Sequence, residues 1–209
     1  ERDAIDWALK YTDVKLQIDD EVQAYLLVEV DGDNMDLLYK DCERIFEVMD
    51  NFDCGEILLA DSERQKNQIW KLRKEIAESV KSNSVYKEED TVVPRAELAK
   101  LLKGVKAIGK AYGFQSVCYG HAGDGNLHIN IIKGEMSDED WNTKLTLGIR
   151  EIFELTHSLG GTLSGEHGIG LVQKDYMDIV FSEKALGLQK GIKNLFDPNG
   201  ILNPGKILK

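Results

Sequence analysis

The sequence predicts an α+β domain, with a mixed or antiparallel sheet and helices on one face. Three observations carry this. Apolar runs of strand length alternate with longer stretches of helical periodicity through the first half, an Asp-Gly hairpin signal lies mid-chain, and helical patterns return after it. No low-complexity segment or long linker divides the 209 residues, enough for one sizeable domain.

Ala24 to Val30 is an apolar run stopped by Asp31-Gly32-Asp33, which predicts a buried strand. Leu38, Cys42, Ile45 and Met49 recur at helical spacing from Met35 to about Asn51. Glu56 to Ala60 reads as a second strand, after which Asp61 or Ser62 caps a helix reaching about Val80. Pro94 suits the first turn of a helix over 95–112, closed by Gly113. A strand over Gln115 to Tyr119 leads into the hairpin. Ser137, followed by Asp138, Glu139 and Asp140, caps a helix running to about Leu159. A last helix spans about 182–196, and the tail is a short extended piece. Strand-helix-strand followed by strand-helix-hairpin implies ferredoxin-like repeats.

The hairpin holds the first candidate site. Both central residues of a type I′ turn need positive φ, which makes Asp124-Gly125 a strong turn signal. Counting outward from it places His121 opposite His128 and Tyr119 opposite Asn130. Opposed side chains share a face, with Cβ atoms about 4.5–5.5 Å apart, a workable span for two imidazoles on one metal ion. Leu127, Ile129 and Ile131 then face a core.

A second cluster, residues 160–170, carries five glycines around the pair Glu166-His167. Such density marks tight turns or close approach of backbone to a ligand. Adjacent side chains diverge, so Glu166 and His167 can serve different partners. Either one can complete a three-ligand set with His121 and His128, leaving positions open as catalytic sites do. Arg73 lies on the apolar stripe of its helix, where a guanidinium can snorkel or take a carboxylate bidentately, and Lys87 can supply a second cation. Glu88-Glu89-Asp90 reads as a solvated acidic edge.

A formal charge of −11 argues against nucleic-acid partners and anionic membrane surfaces. Cys42, Cys54 and Cys118 have no CxxC spacing and are odd in number, so they read as buried thiols in a reducing, cytoplasmic setting. No apolar run reaches membrane-span length, and there is no signal peptide. A chain opening at Glu1 suggests a piece of something larger.

Three motifs in order, residues 120–128, 164–168 and 196–206, resemble the C-terminal domain of FAD-linked oxidases of the vanillyl-alcohol-oxidase type, in the branch of D-2-hydroxy-acid dehydrogenases. The resemblance covers nearly all of residues 1–209 and implies a substrate and metal cap domain, with an N-terminal FAD-binding domain that this sequence lacks. It implies His121, His128 and Glu166 as ligands of a divalent metal, zinc or manganese, His167 as catalytic base, and Asn130 beside the substrate. Arg73, in its Trp70-Lys71-Leu72-Arg73 context, matches a carboxylate-binding arginine; Lys87 matches a substrate lysine, and Asn203 a flavin contact.

The Arg73-to-Lys87 spacing is one residue shorter than in hydroxyglutarate members, and Ala77 stands where those carry threonine. Both departures favour a smaller D-2-hydroxy acid such as lactate or glycolate. Implied partners are that substrate, the FAD domain of the same polypeptide and an electron-acceptor protein or quinone. The rival readings are a free-standing metallohydrolase and a non-catalytic interaction or electron-transfer subunit keeping the fold.

Overall fold

The computed structural model describes residues 1–13 and 21–208. Residues 1–79 and 80–209 form two compact units. In the first, α1 (Arg2–Tyr11) buries Ala4, Ile5 and Ala8 on one stripe. Helix α2 (Met35–Met49) starts at Asn34, whose side chain accepts hydrogen bonds from the amides of Asp36 (2.9 Å) and Leu37 (3.3 Å), as an N-cap should. A reciprocal pair opens α3 (Glu63–Asn83): the Gln65 amide donates to Ser62 Oγ, and the Ser62 amide donates to Gln65 Oε1. Leu72 and Ile76 are buried along this helix, and Arg73, at the border of that stripe, is half-buried.

The two strands expected in this unit do not form. Ala24 to Val30 and Glu56 to Ala60 join no ladder among the described residues, and Leu26 and Leu58 are exposed. An apolar run of strand length reports a tendency to be buried; a strand also needs a partner edge, and among the described residues these segments meet none. The α+β class holds, with an antiparallel sheet and helices on one face.

The second unit carries the sheet. Its strands are β1 (Tyr86–Val92), β2 (Gln115–His121) and β3 (Asn126–Ile132), all antiparallel, with β3 central. Helices α4 (Leu98–Tyr112) and α5 (Asp138–Ser158) cover one face. Against that face Leu127, Ile129, Ile131 and Cys118 pack with Leu101, Val105, Ile108, Ile149, Ile152 and Phe153, all buried. The expected helix from Pro94 begins with a 3-10 turn at Arg95–Glu97, and Ser137 caps α5 by accepting from the Asp140 amide at 3.0 Å. After a short helix α6 (Met177–Val180), Ser182 caps α7 (Glu183–Phe196) in the same way. No helix among the described residues is long and apolar enough to cross a membrane. All three cysteines are free, but Cys118 alone is fully buried and Cys54 is exposed, which corrects the expectation of buried thiols.

Strand β1 corrects a second expectation. Glu89 and Asp90 are 0% and 1% exposed, not a solvated edge. A strand alternates its side chains, so consecutive acids point to opposite faces. Glu89 pairs with Ile129 and therefore faces the helices, where Gln173 Nε2 donates to its Oε2 at 3.4 Å and Lys87 Nζ stands 3.6 Å from its Oε1. Burial pushes the Glu89 carboxyl above the ordinary carboxylate value, against the pull of Lys87 and Gln173. Burial also lifts neighbouring Tyr176 to about 12, with Glu89 adding to the effect.

A raised carboxyl pKa means the folded state holds a proton that the unfolded chain has released. The associated stability is complete below the unfolded value of about 4.3 and is lost as pH rises toward the folded value. Glu89→Gln is expected to remove this loss, so its melting temperature should gain on the parent as pH rises from acid to neutral. A difference between the two proteins that does not change with pH would refute the assignment.

Candidate active site

The face of the sheet opposite the helices gathers most of the chemistry. Antiparallel pairing places Asp90 opposite His128, Glu88 opposite Asn130, Tyr119 opposite His128 and His121 opposite Asn126. All of these side chains share that face. The register differs by two residues from the one expected, because the connection is a four-residue loop, Ala122–Gly125, in place of a two-residue turn. A slip of two preserves the face, so His121 and His128 still meet, diagonally, with ring centroids 5.9 Å apart. Gly125 sets the loop: its φ is +75°, and a Cβ there would lie 1.9 Å from the Val93 carbonyl oxygen, while its own carbonyl accepts from the Val93 amide at 3.0 Å.

The glycine-rich segment reaches the same face over the edge of β1. Thr162 donates its amide to the Val92 carbonyl at 3.0 Å, the start of an approach that brings Glu166 and His167 against His128. Glu166 Oε1 lies 3.1 Å from His128 Nε2, and the His167 ring sits 5.1 Å from that of His128. One donor atom each from His121, His128 and Glu166 fall within 4.8 Å of one another. Tetrahedral zinc with bonds near 2.1 Å needs ligand atoms about 3.4 Å apart. The His128–Glu166 pair is close to that, and His121 and Glu166, both exposed, have torsional freedom to close the rest.

Glu88, His128 and His167 satisfy the same distance limit as a second donor set. Glu88 Oε1 stands 3.7 Å from His128 Nδ1, and Lys81 Nζ stands 3.4 Å from Glu88 Oε2. His128 is therefore common to both sets. Burial lowers its pKa, and the opposing pull of Asp90 and Glu88 does not prevail, so it is neutral at physiological pH, the form that ligates metal.

Asn130 is fully buried on the histidine face, with Nδ2 donating to the Val117 carbonyl at 3.4 Å. Lys87 is not on this face. Its pairing with Ile131 turns it toward the helices and Glu89, away from the histidines. Arg73 belongs to the unit of residues 1–79, while every residue of the cluster belongs to 80–209. Asn203 lies in the turn after α7, exposed, at φ +47°, its Oδ1 accepting from Lys206 Nζ at 2.8 Å.

Sequence reading missed Glu88 and Asp90. The run Thr91-Val92-Val93-Pro94, β-branched and ended by a strand-breaking proline, is the signal that could have marked β1 and hence the alternation of the acids before it.

Residues 1–207 match the family model described as FAD linked oxidases, C-terminal domain. The chain belongs to this family. This FAD-linked oxidase domain is 34% identical to a D-lactate dehydrogenase of Anaerostipes hadrus over 188 residues, covering 90% of the chain and 40% of that relative. It is 39% identical to a D-2-hydroxyglutarate dehydrogenase of Stutzerimonas stutzeri (strain A1501) over 153 residues, 72% of the chain and 33% of the relative. Against the glycolate oxidase subunit GlcD of Bacillus subtilis (strain 168) the identity is 31% over 196 residues, 92% of the chain and 41% of the relative. The domain thus spans well under half the length of these relatives.

Proposed function

We propose that this domain is the substrate- and metal-binding part of a flavin-dependent, cytoplasmic dehydrogenase or oxidase that converts a D-2-hydroxy acid to the 2-oxo acid. The observation that carries the proposal is the convergence of His121, His128, Glu166 and His167 on one sheet face, in a chain of the FAD-linked oxidase family. A divalent ion on His121, His128 and Glu166, zinc or manganese, would supply Lewis acidity to the substrate's 2-hydroxyl. FAD, held mainly by an N-terminal domain, would supply the acceptor for the two electrons and the α-hydrogen.

The chain's own residues then divide the remaining work. His167 takes the hydroxyl proton at a ring nitrogen, since imidazole is the side chain suited to proton exchange near neutral pH. Arg73, in its Trp70-Lys71-Leu72-Arg73 context, is assigned to take a carboxylate bidentately. Asn130 lies beside the substrate, and Asn203 contacts the flavin. Lys87 is left out, because it faces the helices. Lactate or glycolate is favoured over hydroxyglutarate by the short Arg73-to-Lys87 spacing and by Ala77 in place of threonine.

Anaerobic mixing of the full-length flavoprotein with D-lactate, glycolate and D-2-hydroxyglutarate tests this through bleaching of the flavin. The expected result is reduction by lactate or glycolate with an efficiency on the order of tenfold or more above hydroxyglutarate. Failure of every 2-hydroxy acid to bleach the flavin would overturn the proposal, and a preference for hydroxyglutarate would overturn the choice of substrate.

A further inference from the structure

We infer that Asp90 is the positioning residue of this site, the single carboxylate that locks the glycine-rich segment onto the sheet so that Glu166 and His167 flank His128. Asp90 is 1% exposed and directly opposite His128 in the β1–β3 ladder. Its Oδ2 accepts three hydrogen bonds from the segment: from Ser164 Oγ at 2.9 Å, the Glu166 amide at 2.8 Å and the His167 amide at 2.8 Å. Its Oδ1 accepts from Asn126 Nδ2 at 2.6 Å. Ser164 Oγ in turn accepts from the Gly168 amide at 2.8 Å, which closes the loop on itself.

Two consecutive backbone amides aimed at one oxygen constrain both residues, so Glu166 and His167 diverge from a point set by the sheet and not by the loop. Hydrogen bonds to an ionised acceptor are shorter and about twice as strong as neutral ones, and buried donors left without one are costly. Gly165 belongs to the same device. A Cβ there would lie 1.9 Å from Asn126 Nδ2 and 2.9 Å from Asp90 Oδ1, so only glycine lets the backbone come close enough to donate. Among the described residues, Thr162 also ties the segment to β1, two positions before Ser164.

The role of Asp90 rests on the proposal that Glu166 and His167 are working groups, but its physical effect can be read without activity. In the full-length protein, hydrogen exchange at the Glu166 and His167 amides is expected to accelerate at least about tenfold in Asp90→Ala, while β3 amides keep their protection. Ser164→Ala, which keeps the carboxylate and removes one donor, should give a smaller acceleration in the same segment and serves if Asp90→Ala does not fold. Apparent affinity for added zinc should fall about 10- to 100-fold in Asp90→Ala, the range for residues that orient ligands. Unchanged exchange at residues 166 and 167 in a folded variant would overturn the positioning role. Faster exchange with unchanged zinc affinity would keep the locking and count against Glu166 as a ligand.

Discussion

His128→Ala in the full-length flavoprotein is expected to abolish stoichiometric divalent metal and to cut turnover by at least about a hundredfold. The ring is the one donor common to both ligand sets on the histidine face, and it is buried against the sheet with its two nitrogens aimed at different carboxylates, Nε2 at Glu166 and Nδ1 at Glu88. Burial keeps it neutral and ready to bind. Loss of one of three ligands leaves a site that cannot compete with water for zinc or manganese, and the Lewis acidity it supplied is worth several kcal/mol at the transition state. Metal analysis of the purified protein, with a melting curve to separate metal loss from unfolding, checks the result. Retained metal at one equivalent per flavin would sink the assignment.

The second large effect is expected at His167, which follows Glu166 in the glycine-rich segment. His167→Gln should lower kcat by about 10²- to 10⁴-fold, the usual contribution of a positioned general base, while metal content stays at the parent level. The geometry makes this a contest between two roles. With His121 and Glu166 as the partners of His128, the His167 ring, 5.1 Å from that of His128, is released for proton transfer. With Glu88 and His128 as its partners, it becomes a ligand instead. Falling metal content along with rate would favour the second set, and an unchanged rate would remove His167 from the mechanism.

Much of this site was legible along the chain because its parts are local. Asp124-Gly125 announced a reversal, and a hairpin needs no distant residue to bring His121 near His128. Its register was misjudged because turn chemistry marks where a chain reverses but not how many residues the loop takes; Gly125 is tied to Val93, a residue of another segment. The error did no harm to the face, since the slip was even. Lys87 was a different case: an odd step along β1 separates it from Glu88, and one residue moves a side chain to the other face of a sheet.

Helices α2, α3, α4, α5 and α7 were readable for the same local reason, through periodicity and, for α3 and α5, through caps at Ser62 and Ser137; the caps at Asn34 and Ser182 came with the structure. Strands at 24–30 and 56–60 were not, because pairing depends on an edge that no window of sequence contains. The acids of β1 show the limit most clearly. As a run of three they look like solvent; in the sheet they part company, Glu89 into the helical core, Asp90 onto the loop amides and Glu88 beside His128.

Residue types, spacing and turn signals were sufficient to nominate two histidines and a Glu-His pair as one chemistry, since those depend on neighbours within a few residues. Which atoms they face, and that a buried aspartate holds them there, followed only from folding residues 164–167 over a strand that lies 74 to 77 positions earlier. A hydrogen bond across that separation leaves no local pattern, because its donors are backbone amides that every sequence possesses.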